Sequence, residues 1–413
     1  MQNLFRLQLF RSTNLLKNTR TPVSTLKFKT INLESPIRKY SLQANRHILR
    51  SPQSPQILKQ LANANFKRFY REAPRSRFEQ NPFLHNRIDV TKPILFAVGF
   101  MTGITLLCAY ICDRRRREQM EKANVENSRS IFGGWQGLMS WNQVEYDETL
   151  FSSEEEYTRA VQKLSRLVPG SRAFYDEDHK NALLRIAILP DWVPVFGKEM
   201  LIIAADTWYG TPKAKRVAYS LVAINIGVFL LWKIPRLHYS MMRRFTHDPL
   251  SGKSYTMLTS AFSHKDLWHL VFNMMALASF TPAMLSIMPT EEFMAFYASS
   301  AVFSSLISHL SYLAVRSRVI LPSLGASGAL YAVLVATALC FPDVKVSVMF
   351  LPFAFNISSA VYSIVGFDIL MVLLRKSIFD HYAHLGGALF GYLYINYLHD
   401  IVWINTLKMF SER

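Results

Sequence analysis

Between residues 217 and 398 six apolar runs follow one another with only short polar breaks: Val217–Trp232, Leu267–Ile287, Phe293–Val315, Leu324–Phe341, Ser358–Leu374 and Tyr382–Leu398. A helix needs about 20 mostly apolar residues to cross a bilayer, and in lipid only helices and closed barrels satisfy every backbone polar group. A seventh run, Ile94–Cys112, stands apart and is closed by DRRRR. Proline or charge marks the other ends, in KIPR, MPTEE, RSRVILP, FPDVK and RKSIFD. The fold expected is an all-α polytopic membrane protein, a six-helix core preceded by one extra N-terminal transmembrane helix. The composition agrees: 50% hydrophobic residues, 29 Phe and 18% charge are too apolar for an ordinary soluble chain. The run VSVMFLPFAF, Val346 to Phe355, is too short to span and reads as a loop dipping into the interface.

The net charge of +18 is uneven, for residues 1–80 hold 16 Lys or Arg against three acids, Glu34, Glu72 and Glu79. That segment is rich in Arg, Ser, Leu and Phe and lacks the apolar core of a secretory signal. It therefore reads as a mitochondrial transit peptide, with RKYS and KRFY as candidate processing sites. Because the excess charge belongs to this segment, no nucleic-acid partner is expected. Cys108, Cys112 and Cys340 lie in apolar runs without C-x-x-C spacing, which argues against a disulfide framework or a zinc site. The organisation expected is a transit and basic segment (1–80), an N-terminal transmembrane helix with flanks (81–116), a polar insert (117–216), the core (217–400) and a short tail (401–413). Within the insert SSEEEYTRAVQKLSRLVP predicts an amphipathic helix capped by Ser152 or Ser153. Leu189–Asp206, broken by charge and proline, reads as interfacial.

Polar side chains inside spans are costly and are functional candidates by default. HLVFN sets His269 and Asn273 four residues apart on one face of the second core span. GASG puts Ser327 in the fourth, with Tyr331 one turn along. HYAHLGGALFG supplies His384 in the sixth, followed by Gly387 and Gly391. Spans two, four and six begin on the same side of the membrane, so His269, Ser327 and His384 lie at similar depth. The groove formed by Gly387 and Gly391 lets another helix approach closely, and Gly325, Ala326, Gly328 and Ala329 slim the fourth span likewise. If those surfaces pack, a histidine base meets a serine hydroxyl that is a poor nucleophile without one. His269, Asn273 and the backbone N–H groups at the start of the fourth span are then candidate donors to an oxyanion. His309 reads as structural, and His381 lies at the membrane edge.

These residues resemble the rhomboid intramembrane serine proteases: GASG matches G-x-S-G, AHLGGALFG matches A-H-x-x-G-x-x-x-G, and HLVFN matches H-x-x-x-N, in order and in spans two, four and six. The resemblance covers about Val217 to Leu398. It implies a Ser327–His384 dyad without a third carboxylate, an oxyanion site with His269 and Asn273, and Tyr331 stacked on the histidine. No metal or other cofactor is implied. The extra N-terminal span and the presequence resemble the presenilin-associated rhomboid-like branch of the mitochondrial inner membrane. Its implied substrates are single-span mitochondrial membrane proteins cut within or beside their spans. The Trp-Arg pair of many members is replaced by KIPRLHYSMMRRF, and Phe379 stands where many carry a glycine.

Loops on the Ser327 side carry ten Lys or Arg, those opposite and the tail three. The positive-inside rule places that side in the matrix, although Arg114–Arg117 then fall on the other side. A rhomboid-like protein that binds transmembrane helices without cutting them is the alternative; keeping both Ser327 and His384 argues against it. A channel or transporter is disfavoured by the lack of an internal repeat.

Overall fold

The computed structural model describes residues 88–136, 151–167, 174–264, 266–315, 322–347, 354–375 and 380–412. The transit segment at 1–80, Phe379 and the middle of the VSVMFLPFAF run lie outside the described residues. Helix α1, Thr91–Gln136, does not end at the arginine run expected to close the first span. Instead Arg114 pairs with Glu118 at 2.9 Å and Arg117 with Asp113 at 2.8 Å, each four residues apart. Such i,i+4 pairs keep a charged stretch helical once it leaves an apolar environment. Arg115 also reaches Glu291 at 2.7 Å, tying α1 to the core.

Part of the polar insert folds as a three-helix bundle: α2, Glu154–Leu167; α3, Glu177–Ala187; and α4, Val195–Gly210. Its centre holds Phe151, Tyr157, Leu164, Leu183, Leu184 and Ile202. Helix α2 is the amphipathic helix expected, and Ser153 caps its start. Ser153 Oγ accepts from the Glu156 N–H at 3.2 Å, while Glu156 accepts from the Ser152 N–H at 2.9 Å. The stretch expected to be interfacial is split, because the prolines keep 190–194 out of helix and α4 begins only after Pro194. Ile202 is buried in the bundle, whereas Trp192, Val195 and Phe196 are exposed.

The core begins with α5, Lys213–Leu231, followed by two short helices, α6 at His238–Arg244 and α7 at Thr256–Thr259. Then come α8, Leu267–Met284, α9, Thr290–Val315, and α10, Ser327–Cys340. Two-residue strands β1, Lys345–Val346, and β2, Phe355–Asn356, pair antiparallel across the loop before α11, Ile357–Leu373. Finally α12, His381–Leu393, continues through a π-helical stretch, Tyr394–Ile404, into α13, Asn405–Ser411.

Thr91–Asn124, α5, α8 and Thr290–Ala314 are long and apolar enough to cross a membrane; α10 and α11 are shorter apolar helices. The chain is an all-α polytopic membrane protein. Helix α10 is the hub, contacting α8, α9, α11 and most extensively α12, while α1 lies along α9 and meets α13. In lipid, where apolar contact gains little over lipid contact, such packing depends on close backbone approach and buried polar links. Here Leu277, Phe293, Phe296, Val333 and Phe390 fill the centre of the core.

Candidate active site

Three polar anchors set the ends of the helices that carry the site. Asp266 caps α8 by accepting from the His269 N–H at 2.9 Å. Asp380 caps α12, accepting from the Ala383 N–H at 3.1 Å, and its other oxygen accepts from Ser308 on α9 at 2.6 Å. The strand-like segment before α10 is held on both sides: Ser323 and His247 exchange two backbone hydrogen bonds of 2.9 Å, and the Gly325 N–H donates to Ser260 O at 3.0 Å. Gly325 then turns the chain with φ +132°, a conformation that L side chains rarely adopt. Ser327 follows as the first residue of α10, where the leading N–H groups have no intrahelical partner.

The glycines govern how near α10 and α12 come. A Cβ on Gly387 would run into the Gly328 carbonyl, and one on Gly391 into the carbonyl of Ala332. With backbones in contact, Ser327 Oγ and His384 Nε2 stand 2.8 Å apart. The Tyr331 ring lies flat on the His384 imidazole, centroids 4.3 Å apart and 11° from parallel. Both Ser327 and His384 are partly exposed.

On α8 the His269 ring faces the same turn, since a Cβ on Gly325 would lie 2.8 Å from His269 Cε1. Asn273, one turn on, is buried, and its Nδ2 has no hydrogen-bond partner among the described residues. His264, in the loop before α8, packs edge-on against His269 at 5.1 Å and is buried. Burial, with the His269 ring beside it, holds its imidazole down at about 3. The structure thus brings together residues of α8, α10 and α12 that the sequence placed only at matching depth.

One residue of this site was missed. Asp368 on α11 is buried, and its Oδ1 lies 3.2 Å from His384 Nδ1 and 2.5 Å from His381 Nδ1. The signal was available: Asp368 is the lone charge in the apolar run ISSAVYSIVGFDILMVL, and an acid in a span is a functional candidate. His381, the first residue of α12, is buried against this carboxylate. Asp368, His381 and His384 offer ligand atoms within 4.8 Å of one another, the spacing a metal ion would need, but each histidine Nδ1 is engaged with the carboxylate. His309, read as structural, bonds through Nδ1 to His247 at 3.0 Å and through Nε2 to the Asp89 carbonyl at 2.9 Å.

Residues 251–401 match the family model of the rhomboid domain. Over 200 residues the chain is 40% identical to the presenilin-associated rhomboid-like protein, mitochondrial, of Bos taurus, covering 48% of this chain and 52% of that one. The Homo sapiens protein of that name is 39% identical over 200 residues, with the same coverage of 48% and 52%. Rhomboid protein 1, mitochondrial, of Saccharomyces cerevisiae is 34% identical over 193 residues, 46% of this chain and 55% of that protein. The chain spans about half the length of the curated relatives it matches.

Proposed function

We propose, from the premise that this chain belongs to the rhomboid family and to its mitochondrial, presenilin-associated branch, that it is an intramembrane serine endopeptidase working through Ser327 and His384. It is a multi-pass mitochondrial membrane protein; the inner membrane is the compartment proposed. The proposed substrates are single-span proteins of that membrane, cut within or beside their spans. In this reading α10, α11 and α12 complete a six-helix core with α5, α8 and α9, and α1 is the extra span. The single observation that carries the proposal is the 2.8 Å contact between Ser327 Oγ and His384 Nε2 beneath the stacked Tyr331 ring.

The chemistry follows from that contact. His384 Nε2 takes the Ser327 proton as Oγ attacks the scissile carbonyl carbon. The carbonyl oxygen becomes an oxyanion. The donors proposed for it are the Ser327 backbone N–H, Asn273 Nδ2 and the His269 ring. Collapse breaks the C–N bond, His384 passes its proton to the leaving amine, and an acyl ester remains on Ser327. Water then attacks the ester with His384 again as base, releasing the acid and restoring the hydroxyl. Water is scarce at this depth, and the partial exposure of Ser327 and His384 supplies its route.

The test uses full-length protein purified in detergent and returned to liposomes. A fluorophosphonate probe should label it at Ser327, and a single-span model substrate should be cleaved. Ser327→Ala should abolish both, and His384→Ala should reduce both to background. Cleavage that survives Ser327→Ala overturns the assignment. A wild-type protein that binds the substrate but neither cuts it nor takes the probe is a helix-binding protein rather than an enzyme.

A further inference from the structure

The resemblance leads to a serine–histidine pair without a carboxylate, yet a buried carboxylate touches the far side of the histidine. We propose that Asp368 is a positioning residue for His384, a third member supplied by α11; this rests on the protease reading above.

A carboxylate inside an apolar helix is strongly disfavoured unless charge-assisted hydrogen bonds compensate it. Asp368 is the lone charged residue of α11 and is 1% exposed. Its Oδ1 faces two imidazole nitrogens, His384 Nδ1 at 3.2 Å and His381 Nδ1 at 2.5 Å. An ionised carboxylate only accepts, so each Nδ1 carries the proton.

For His384 that choice decides function. With Nδ1 protonated, a neutral ring presents a lone pair at Nε2, the atom 2.8 Å from Ser327 Oγ. The other tautomer places N–H at Nε2, where it cannot accept the serine proton. Asp368 therefore selects the tautomer that works as a base, and it faces the imidazolium that forms when Ser327 is deprotonated. His381, one turn before His384 on α12, steadies the carboxylate. Tyr331 fixes the ring plane from α10, so each of the three helices around the imidazole contributes one constraint. The titratable groups facing His384 among the described residues are Asp368 on α11, Tyr331 on α10 and His381 on α12 itself.

The experiment follows the rate of fluorophosphonate labelling of Ser327 in the full-length protein, with melting in detergent as the check on folding. Asp368→Asn should slow labelling by about 10²–10⁴-fold. Asp368→Glu should recover part of the rate. If wild type labels, Ser327→Ala does not, and Asp368→Asn matches wild type in rate, the role given to Asp368 is wrong. If wild type itself fails to label, it is the protease reading that falls. A measurement free of substitution at Asp368 covers the case in which Asp368→Asn does not fold. In ¹⁵N-histidine spectra at neutral pH, with the signal assigned through His384→Gln, His384 should be the Nδ1–H tautomer. An Nε2–H tautomer overturns the proposal.

Discussion

At the scale of single residues the site is read most sharply through groups that lack partners or space. Asn273 is buried with an Nδ2 that donates to nothing among the described residues, and an unsatisfied buried donor costs about 1–3 kcal/mol. A protein keeps such a cost where the donor is used during reaction. Asn273→Ala should therefore lower kcat by about 10²–10³-fold, the effect of one missing oxyanion donor, with little change in KM. Its melting temperature should stay level or rise. A variant that loses stability and keeps its kcat would show that Asn273 serves packing instead. Ser327, His384, His269 and Asn273 were legible because each is a polar group in an apolar run. Asp368 is just as conspicuous, but a lone acid does not announce its partner. Only the fold shows that α11 turns it toward His384 Nδ1.

At the scale of elements, the decisive contact is backbone against backbone between α10 and α12. Gly387 and Gly391 meet main-chain carbonyls, which cannot rotate aside as a side chain can. A methyl group at either position has to part the helices, and the 2.8 Å contact between Ser327 and His384 is the first to be lost. Gly387→Ala should cut labelling of Ser327 by at least about 10²-fold, since even small misplacement of reacting groups has that cost. It should also lower the melting temperature. Gly99 and Gly227 have open space where a Cβ would go, so Gly99→Ala and Gly227→Ala should leave rate and stability unchanged or slightly improved. The helical periods and the small-residue spacing were visible in the sequence. The continuation of α1 through Arg114–Arg117 was written there too, in the i,i+4 pairs Asp113–Arg117 and Arg114–Glu118, but the pairing of Arg115 was not, because Glu291 lies in a distant part of the chain.

At the scale of the whole molecule, buried histidines join the loop before α10 to the start of α1. His247 exchanges backbone hydrogen bonds with Ser323, its ring meets His309, and His309 reaches the Asp89 carbonyl at the entry to α1. A carbonyl only accepts, so a neutral His309 donates from Nε2 and accepts at Nδ1. Protonating His309 sets its Nδ1–H against the His247 Nε2–H, whereas a second proton on His247 enters at Nδ1, 2.9 Å from the Thr256 hydroxyl. Burial, reinforced by His309, holds the His247 imidazole down at about 3 against an ordinary 6.5. The folded protein thus resists a proton that the unfolded chain takes up below pH 6.5, so stability is full above that value and falls as pH drops toward 3. At pH 5 the loss is about 2 kcal/mol from such a histidine. Melting in detergent at pH 7.5 and pH 5 should show it, and His247→Gln should flatten the difference; an unchanged slope in that variant removes His247 from the account. The apolar runs and the expectation that Ser327, His269 and His384 lie at matching depth were legible in the sequence, because apolar length and helical spacing are local properties. That α11 brings a carboxylate to His384, and that Arg115 beyond the first span pairs with Glu291 of the core, came from the folded structure alone. The partners of a buried charge are distant in the chain, and the cost of leaving it unpaired appears only once the helices have closed around it.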